Sequence, residues 1–433
     1  MEEQPAKGYG PQWKSLWEKT GWWHSFELPD GTVLRGVNTL EILRTRLAQF
    51  PIGADLRGKR VLDIGCWDGW FSFEMERRGA EVVAVDCWDN PRFHEMHAAF
   101  NSRVEFRQMD VMEISPGTVG RFDIVLFLGV LYHLKHPLLA LEKVCSVTKE
   151  LAAVDSYVLR DNFDLGAQPV LEFYETDEFE GQTDNWVAPN LACLVAMCRT
   201  AGFARAEFKQ ALAYSASVAC HRRWGPEKAS GPQAELVSAA HNTNAGINFD
   251  TRRDEYLTIG FRTKERELTV ADVQAGVGGY GSRPIVVKNM GGDLWQANFK
   301  LPPGLEAGWH EVSVGVRGGP AHTGRRIAVD VPLPECSPQI EGVLDGTTWK
   351  ADVLELRYGR GLAIWCSGLP ENADRNNVQV FVNGRRCAVE FVAPAGDKRQ
   401  INVQVPETVT AGPAEVGIRV GGRAAAPARI VVR

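Results

Sequence analysis

One short stretch carries the first chemical signal. Arg60 to Trp70 reads RVLDIGCWDGW, with Asp63, Gly65, Cys66, Trp67, Asp68 and Gly69 between a buried strand (Val61, Leu62, Ile64) and a helix expected over Phe71 to Arg78. Glycine tolerates positive φ and lets backbone come close to a ligand, while the helix start offers unpaired N–H groups and its positive end. The strand Glu81 to Val85 ends in Asp86, 21 residues after Gly65, and Cys87 follows. A carboxylate at that spacing can accept both ribose hydroxyls of a nucleoside. Val104 to Gln108 leads into Met109, Asp110 and Val111, where an acid can take the exocyclic amine of an adenine. Phe122 to Leu128 runs into Gly129, Val130, Leu131, Tyr132 and His133. The imidazole of His133 can remove a proton from a hydroxyl, or it can simply hold the loop through Tyr132.

Four β-branched strands alternating with helices predict an α/β, doubly wound sheet of the Rossmann-like kind, whose strand ends converge on one crevice. A dinucleotide is excluded by the turn itself. Pyrophosphate needs G-x-G-x-x-G for close backbone approach, and here the bulky Cys66 and Trp67 follow Gly65. A sulfonium nucleoside carries no phosphate, and Asp63 or Asp68 can answer its positive charges.

The ordered set Asp63, Gly65, Gly69, Asp86 and Asp110 resembles the class I S-adenosylmethionine-dependent methyltransferases. WWHSFELPDGTVLRGV (Trp22 to Val37), the stretch from Leu56 to Asp86, FLGVLYHLKHP (Phe127 to Pro137) and APNLACLVAMCRTAGF (Ala188 to Phe203) narrow the likeness. Together they look like the branch containing the bacterial tRNA wobble-uridine methoxy and carboxymethoxy transferases, over about residues 12 to 224. The resemblance implies cofactor contact from Asp63, Gly65, Asp86, Asp110 and the turn Gly129 to Tyr132, with Trp22 and His24 covering the pocket. A carboxylated cofactor would also require cations. Tyr132 fits that motif, whereas Lys14, Lys19, Arg222 and Arg223 lie in weakly alignable stretches, so plain methyl transfer is expected.

Length and composition set the frame for these motifs. The chain has 433 residues, 44% hydrophobic and 24% charged, which suits two to four globular domains. There is no apolar run of membrane-spanning length, and the acidic start Met1, Glu2, Glu3 is unlike a signal peptide, so a cytoplasmic location is expected. Nine scattered cysteines without a C-x-x-C pair imply reduced thiols and no metal. Cys66 and Cys87 are read as bystanders.

Beyond about residue 255 the pattern changes to short alternating strands broken by Gly and Pro. The expected domains are therefore a methyltransferase domain over 1–250, a β-sandwich over 251–334 and an immunoglobulin-like sandwich over 335–433. The break is placed in the polar stretch Gly225 to Asp250, which includes one helix-like run, Ala234 to Ala240. In the last domain, strands are expected at Val353 to Tyr358, Leu362 to Trp365, Val378 to Val382, Cys387 to Phe391, Ile401 to Val405, Ala414 to Val420 and Ile430 to Val432. Asn383-Gly384 marks a tight hairpin turn. Scaffolding or homodimerisation is the role expected of these modules.

Charge bears on the acceptor. Residues 1 to 250 carry 25 Lys and Arg against 34 Asp and Glu, and Asp161 to Cys198 holds eight acids with no Lys or Arg. RNA binding usually leaves a basic footprint, so this balance disfavours tRNA, although His221, Arg222, Arg223 and Lys209 could form a local basic patch. The expectation is O-methylation of a small-molecule or glycan hydroxyl. The alternatives are methyl or carboxymethyl transfer to a tRNA wobble uridine, and a nucleoside-binding module without catalysis. The tryptophans at 13, 17, 22 and 23 suit either core packing or an aromatic lid.

Overall fold

The computed structural model describes Leu16 and residues 19–159, 168–212 and 215–433. Trp13, Lys14, Trp17, Asp161 and Asp164 lie outside these described residues. The chain divides into two compact units. The first runs to Pro226 and includes Gly279–Arg283 and Pro302–Gly304; the second holds the remainder from Glu227 to Arg433.

The first unit is built on a seven-stranded sheet. Its elements in chain order are α1 (Leu40–Ala48), β1 (Arg60–Ile64), α2 (Trp70–Arg77), β2 (Glu81–Asp86), α3 (Pro91–Ala99), β3 (Glu105–Gln108), β4 (Phe122–Leu128), α4 (Pro137–Val147), β5 (Thr148–Tyr157), α5 (Leu191–Thr200), β6 (Arg205–Leu212) and β7 (Ser215–His221). The strand order is β3-β2-β1-β4-β5-β7-β6. Strands β1 to β5 pair in parallel, and β7 runs antiparallel to both β5 and β6.

Both faces of this sheet are covered, which is why its strands read as continuous apolar runs in sequence. Val61, Ala84, Leu126 and Ala153 point into one core with Leu43 and Leu47 of α1, Phe71 and Met75 of α2, and Phe93 and Met96 of α3. Leu62, Val83, Val125 and Ala152 point into the other with Leu141 and Val144 of α4 and Leu194 and Cys198 of α5. Strand order reverses between β1 and β4, and ligands bind at that point in open parallel sheets. Thr39 and Asn90 cap α1 and α3 with their side chains, and Pro91 starts α3 where its missing N–H costs nothing.

The second unit is β-rich. Ala234–His241 is a strand in a four-stranded sheet, paired to Tyr256–Thr263, which corrects the helix expected at 234–240. Ala234 and Leu236 are buried and Glu235 is exposed, so the period is two, and sheet pairing overrides helix propensity. The second unit consequently begins at Glu227, ahead of the expected boundary at 250. A second sheet pairs Val273–Val277, Gly308–Val316 and His322–Val329.

Residues 339–432 form one nine-stranded sheet that wraps a continuous core. Six of the seven strands expected there are present to within a few residues. The strand expected at Val353 to Tyr358 stops at Leu354 and becomes a 3-10 turn over Leu356–Tyr358. Leu356 N–H still bonds to the Arg433 carbonyl beside the partner strand, while Glu355 N–H turns to the Asp345 carboxylate and Tyr358 N–H to the Glu355 carbonyl, which closes the turn. Val382 pairs with Arg385 across Asn383 and Gly384, whose φ values of 49° and 72° give the two-residue hairpin.

Candidate active site

The turn after β1 is shaped by its glycines. Gly65 has φ +73°, and a Cβ placed there would lie 2.3 Å from Cγ2 of Val130, in the turn after β4. Two loops thus meet at the switch point at a distance only glycine allows. Gly65 and Cys66 donate their N–H groups to the Val85 carbonyl. Gly69, at φ +91°, is the residue before α2, with Phe73 and Phe93 against the position of a Cβ.

Asp86 is the last residue of β2. Its Oδ2 accepts the Trp67 N–H at 2.9 Å and its Oδ1 the Trp88 N–H at 3.0 Å. One carboxylate therefore holds the turns after β1 and β2 together, and lone pairs remain for a ligand hydroxyl. Trp67 takes φ +53° and packs its ring 5.2 Å from Trp88, with both indoles exposed at the rim. Asp63 is buried and accepts the Ser72 hydroxyl at 2.6 Å. Burial pushes its carboxyl up to about 6, against the opposing effect of the Ser72 bond.

These strand ends open on a cavity of about 780 Å³. Of the residues singled out in sequence, His24, Asp63, Gly65, Trp67, Asp86, Cys87, Asp110, Val111, Gly129, Tyr132 and His133 line it. Trp22, Cys66, Gly69 and Leu131 do not. Trp22 is buried in the core under Arg92, and the exposed Trp23 beside it lines the cavity instead. Cys66 and Leu131 are core residues, and burial raises the Cys66 and Cys87 thiols, which leaves both as poor nucleophiles.

Asp68 is corrected as a candidate for answering a ligand's charge. Its carboxylate is buried and already accepts the N–H groups of Trp23 and His24 and pairs with His24 Nδ1. It pins the segment carrying Trp23 and His24 over the cavity. Asp110 accepts the Met112 N–H in a capping box with Glu113, which fixes the turn after β3. Of the cations considered in sequence, Lys19, Arg222 and Arg223 do not line the cavity. Lys19 pairs with Glu95, and Arg222 is fully buried against Cys145 and the Gly202 carbonyl, so the basic patch does not form around it.

Sequence reasoning missed the floor of the cavity. Asp155 near the end of β5 accepts Arg46 Nη2 at 2.6 Å and the Ser217 hydroxyl at 2.8 Å, and Asp155 and Arg46 both line the cavity. Arg46 Nε is buried without a partner. Nothing in the α1 sequence separates this arginine from a solvated one; only the fold brings it to β5. Tyr132 and Tyr157 pack at 4.4 Å, and burial raises the Tyr132 phenol, which keeps it a hydrogen-bond donor at neutral pH.

Part of the acidic segment lines the cavity. Leu171–Phe173 and Val187–Pro189 form a small hairpin, Trp186 N–H bonds to the Tyr132 carbonyl, and Gln182 and Asp184 line the cavity. His133 Nδ1 lies 3.0 Å from the Asp184 carbonyl oxygen and 3.5 Å from its carboxylate. A carbonyl only accepts, so Nδ1 carries the proton and Nε2 is left with a lone pair.

A family model described as a methyltransferase domain matches residues 38–161, the span from the start of α1 through β5. Residues 38–161 are a methyltransferase domain. Curated proteins are similar over part of the chain. The tRNA U34 carboxymethyltransferase of Pseudomonas aeruginosa (PAO1) is 33% identical over 158 residues, 35% of this chain and 47% of that protein. The enzyme of the same description from Desulforapulum autotrophicum is 25% identical over 152 residues, 34% of this chain and 46% of that protein. The chain thus spans about half the length of these relatives. The ubiquinone biosynthesis O-methyltransferase of Neisseria meningitidis serogroup C is 29% identical over 205 residues, 45% of this chain and 78% of that protein. Among solved structures, the N-terminal domain of EvdMO1, crystallised in the presence of SAH and D-fucose, is 22% identical with a TM-score of 0.35, over 46% of this chain and 90% of that one. In this chain the methyltransferase domain supplies most of the cavity wall, and the acidic segment downstream of it supplies the cover.

Proposed function

We propose that the protein is an S-adenosylmethionine-dependent methyltransferase that O-methylates a hydroxyl of a small molecule or glycan. The observation that carries this reading is the division of charge in one cavity. Asp63, Asp86 and Asp110 gather at the tips of β1, β2 and β3, and Arg46 is the one Lys or Arg among the described lining residues. A donor with a sulfonium, an ammonium and a ribose fits that set: carboxylates answer the cations and accept the ribose hydroxyls, while the Arg46 charge is already matched by Asp155. When bound, the donor supplies a methyl group on positive sulfur, which keeps the C–S electron pair as the methyl leaves.

The chain's own residues supply alignment and a proton acceptor. Aligning the acceptor in the closed cavity accounts for most of the acceleration in a transfer of this kind. His133 Nε2 takes the proton of the acceptor hydroxyl, and the Asp184 carboxylate stabilises the imidazolium that results. Tyr132 donates a hydrogen bond to the acceptor. The acidic cover favours a neutral or cationic acceptor over a phosphate backbone.

The second reading, transfer to a tRNA wobble uridine, is favoured by the descriptions of several curated relatives and by Arg46 beside Tyr132, a cation the sequence did not reveal. A cytoplasmic location, homodimerisation through the β-rich region and immunoglobulin-like identity for its modules belong to the same proposal. Incubation with methyl-labelled donor and fractionated host extract, with and without ribonuclease, tests it. Label in a ribonuclease-resistant small product supports O-methylation, and label lost on ribonuclease treatment replaces it with the RNA reading. His133→Gln should lower kcat with little change in KM.

A further inference from the structure

Residues 339–432 carry an outward face that methyl transfer does not use. Trp365 on strand Gly361–Ser367 pairs with Gln400 on strand Lys398–Gln404, and Ala363 pairs with Asn402. Directly opposed residues share a face, and the intervening Leu362, Ile364, Ile401 and Val403 fill the core, so Trp365, Gln400 and Asn402 face away from it. Phe391, opposite Asn402 on the next strand, is 41% exposed on the same side. Gly342 pairs with Trp365 from the other flank, and a Cβ there would meet nothing within 4 Å, which leaves a notch beside the indole.

A second indole stands beside the first. Trp349 is 56% exposed, with its ring 6.1 Å from that of Trp365 and tilted by 58°. It sits at φ +61°, in the left-handed region that disfavours a non-glycine residue. The turn is held by the buried Asp345 carboxylate, which accepts the N–H groups of Thr347, Thr348 and Glu355 at 3.0, 2.6 and 2.8 Å. Strain retained to present a large apolar ring to solvent points to a ligand.

The chemistry of the face selects the ligand. Gln400 Nε2 donates to Asn402 Oδ1 at 3.0 Å, which aligns the two amides and leaves the Gln400 carbonyl and the Asn402 N–H groups as an adjacent acceptor and donor. No charged residue stands at the paired positions Gly342, Trp365, Gln400 and Ala393, or at Ala363, Asn402 and Phe391. The nearest charges on this face, Glu341 and Lys398 one pair along, are matched to each other at 3.8 Å, so a charged polymer would find no unmatched counter-charge there. A pyranose presents a C–H face for an indole and neighbouring hydroxyls for paired amides. We infer that this face is a binding site for a neutral oligosaccharide, independent of the methyltransferase reaction.

Calorimetric titration of the full chain with maltohexaose, cellohexaose and a single-stranded oligonucleotide tests the inference. At least one hexasaccharide should bind saturably at millimolar concentration or below, and the oligonucleotide should not. Trp349→Ala and Gln400→Ala should each weaken that binding by about tenfold, while Trp365→Phe, which keeps an aromatic face, should change it by less than about threefold. Trp349 is largely outside the core, so an unchanged thermal midpoint for its variant shows that the fold is retained. Failure of both hexasaccharides to bind, binding indifferent to Trp349→Ala, or oligonucleotide binding abolished by Trp349→Ala would each overturn it.

Discussion

The contact between Gly65 and Val130 sets how closely the turns after β1 and β4 approach, and Gly65→Ala tests it. Alanine at φ +73° costs about 1–2 kcal/mol from backbone sterics alone. Its Cβ would also fall 2.3 Å from Val130 Cγ2, more than 1 Å inside ordinary contact, and forcing such a group into a packed region costs about 1–3 kcal/mol. The expected total is about 2–5 kcal/mol. In a Val130→Ala background the methyl is gone, and only the backbone cost of about 1–2 kcal/mol should remain. Urea unfolding of the full chain, followed by amide exchange in β1 and β4, reads the first unit separately from the β-rich one. A cost below about 0.5 kcal/mol for Gly65→Ala, or an equal cost in both backgrounds, would refute the close approach.

Three further predictions follow from buried charge. The Asp63 carboxyl titrates near 6 in the folded chain against 3.8 unfolded, so the folded state binds the extra proton. Its contribution to stability is full below 3.8, is lost as pH rises to 6 and is level above. Asp63→Asn mimics the protonated acid and should gain on the wild type by about 3 kcal/mol above pH 6 and by nothing below pH 4, as measured by urea midpoints across pH; a gain independent of pH would contradict the assignment. Arg46→Met leaves the Asp155 carboxylate buried and unpaired and should cost about 3 kcal/mol, most of it recovered in Arg46→Met with Asp155→Leu; equal loss in both would show that the ion pair is not the cause. Asp68→Ala removes the acceptor of the Trp23 and His24 N–H groups, and those two amides should exchange much faster while β1 and β2 stay protected.

The sequence made the catalytic half legible because its signals are local. Gly65, Asp86, Asp110 and Gly129 each end a strand, and the chain around each is continuous in sequence. Arg46 and Asp155 stayed hidden because their meeting spans 109 residues and depends on where α1 docks. Asp68 misled for a related reason. An acid in a glycine turn looks available to a ligand, yet its partners, Trp23 and His24, come from a segment 44 and 45 residues upstream. In the β-rich half, period-two alternation located most strands. Ala234–His241 failed because its run of small and helix-forming residues carries the two-residue period only through Ala234 and Leu236. The paired amides and tilted indoles of the last module come from two strands and a turn, so no single stretch announces them.

Direct titration with S-adenosylhomocysteine tests the proposed adenosyl donor across the tips of β1, β2 and β3. One molecule should bind per chain, and Asp86→Ala, which keeps a folded β-rich unit, should weaken binding by about 10- to 150-fold, the worth of charge-assisted hydrogen bonds. A folded wild-type chain that takes up no S-adenosylhomocysteine, or an Asp86→Ala variant that binds it unchanged, would contradict the account.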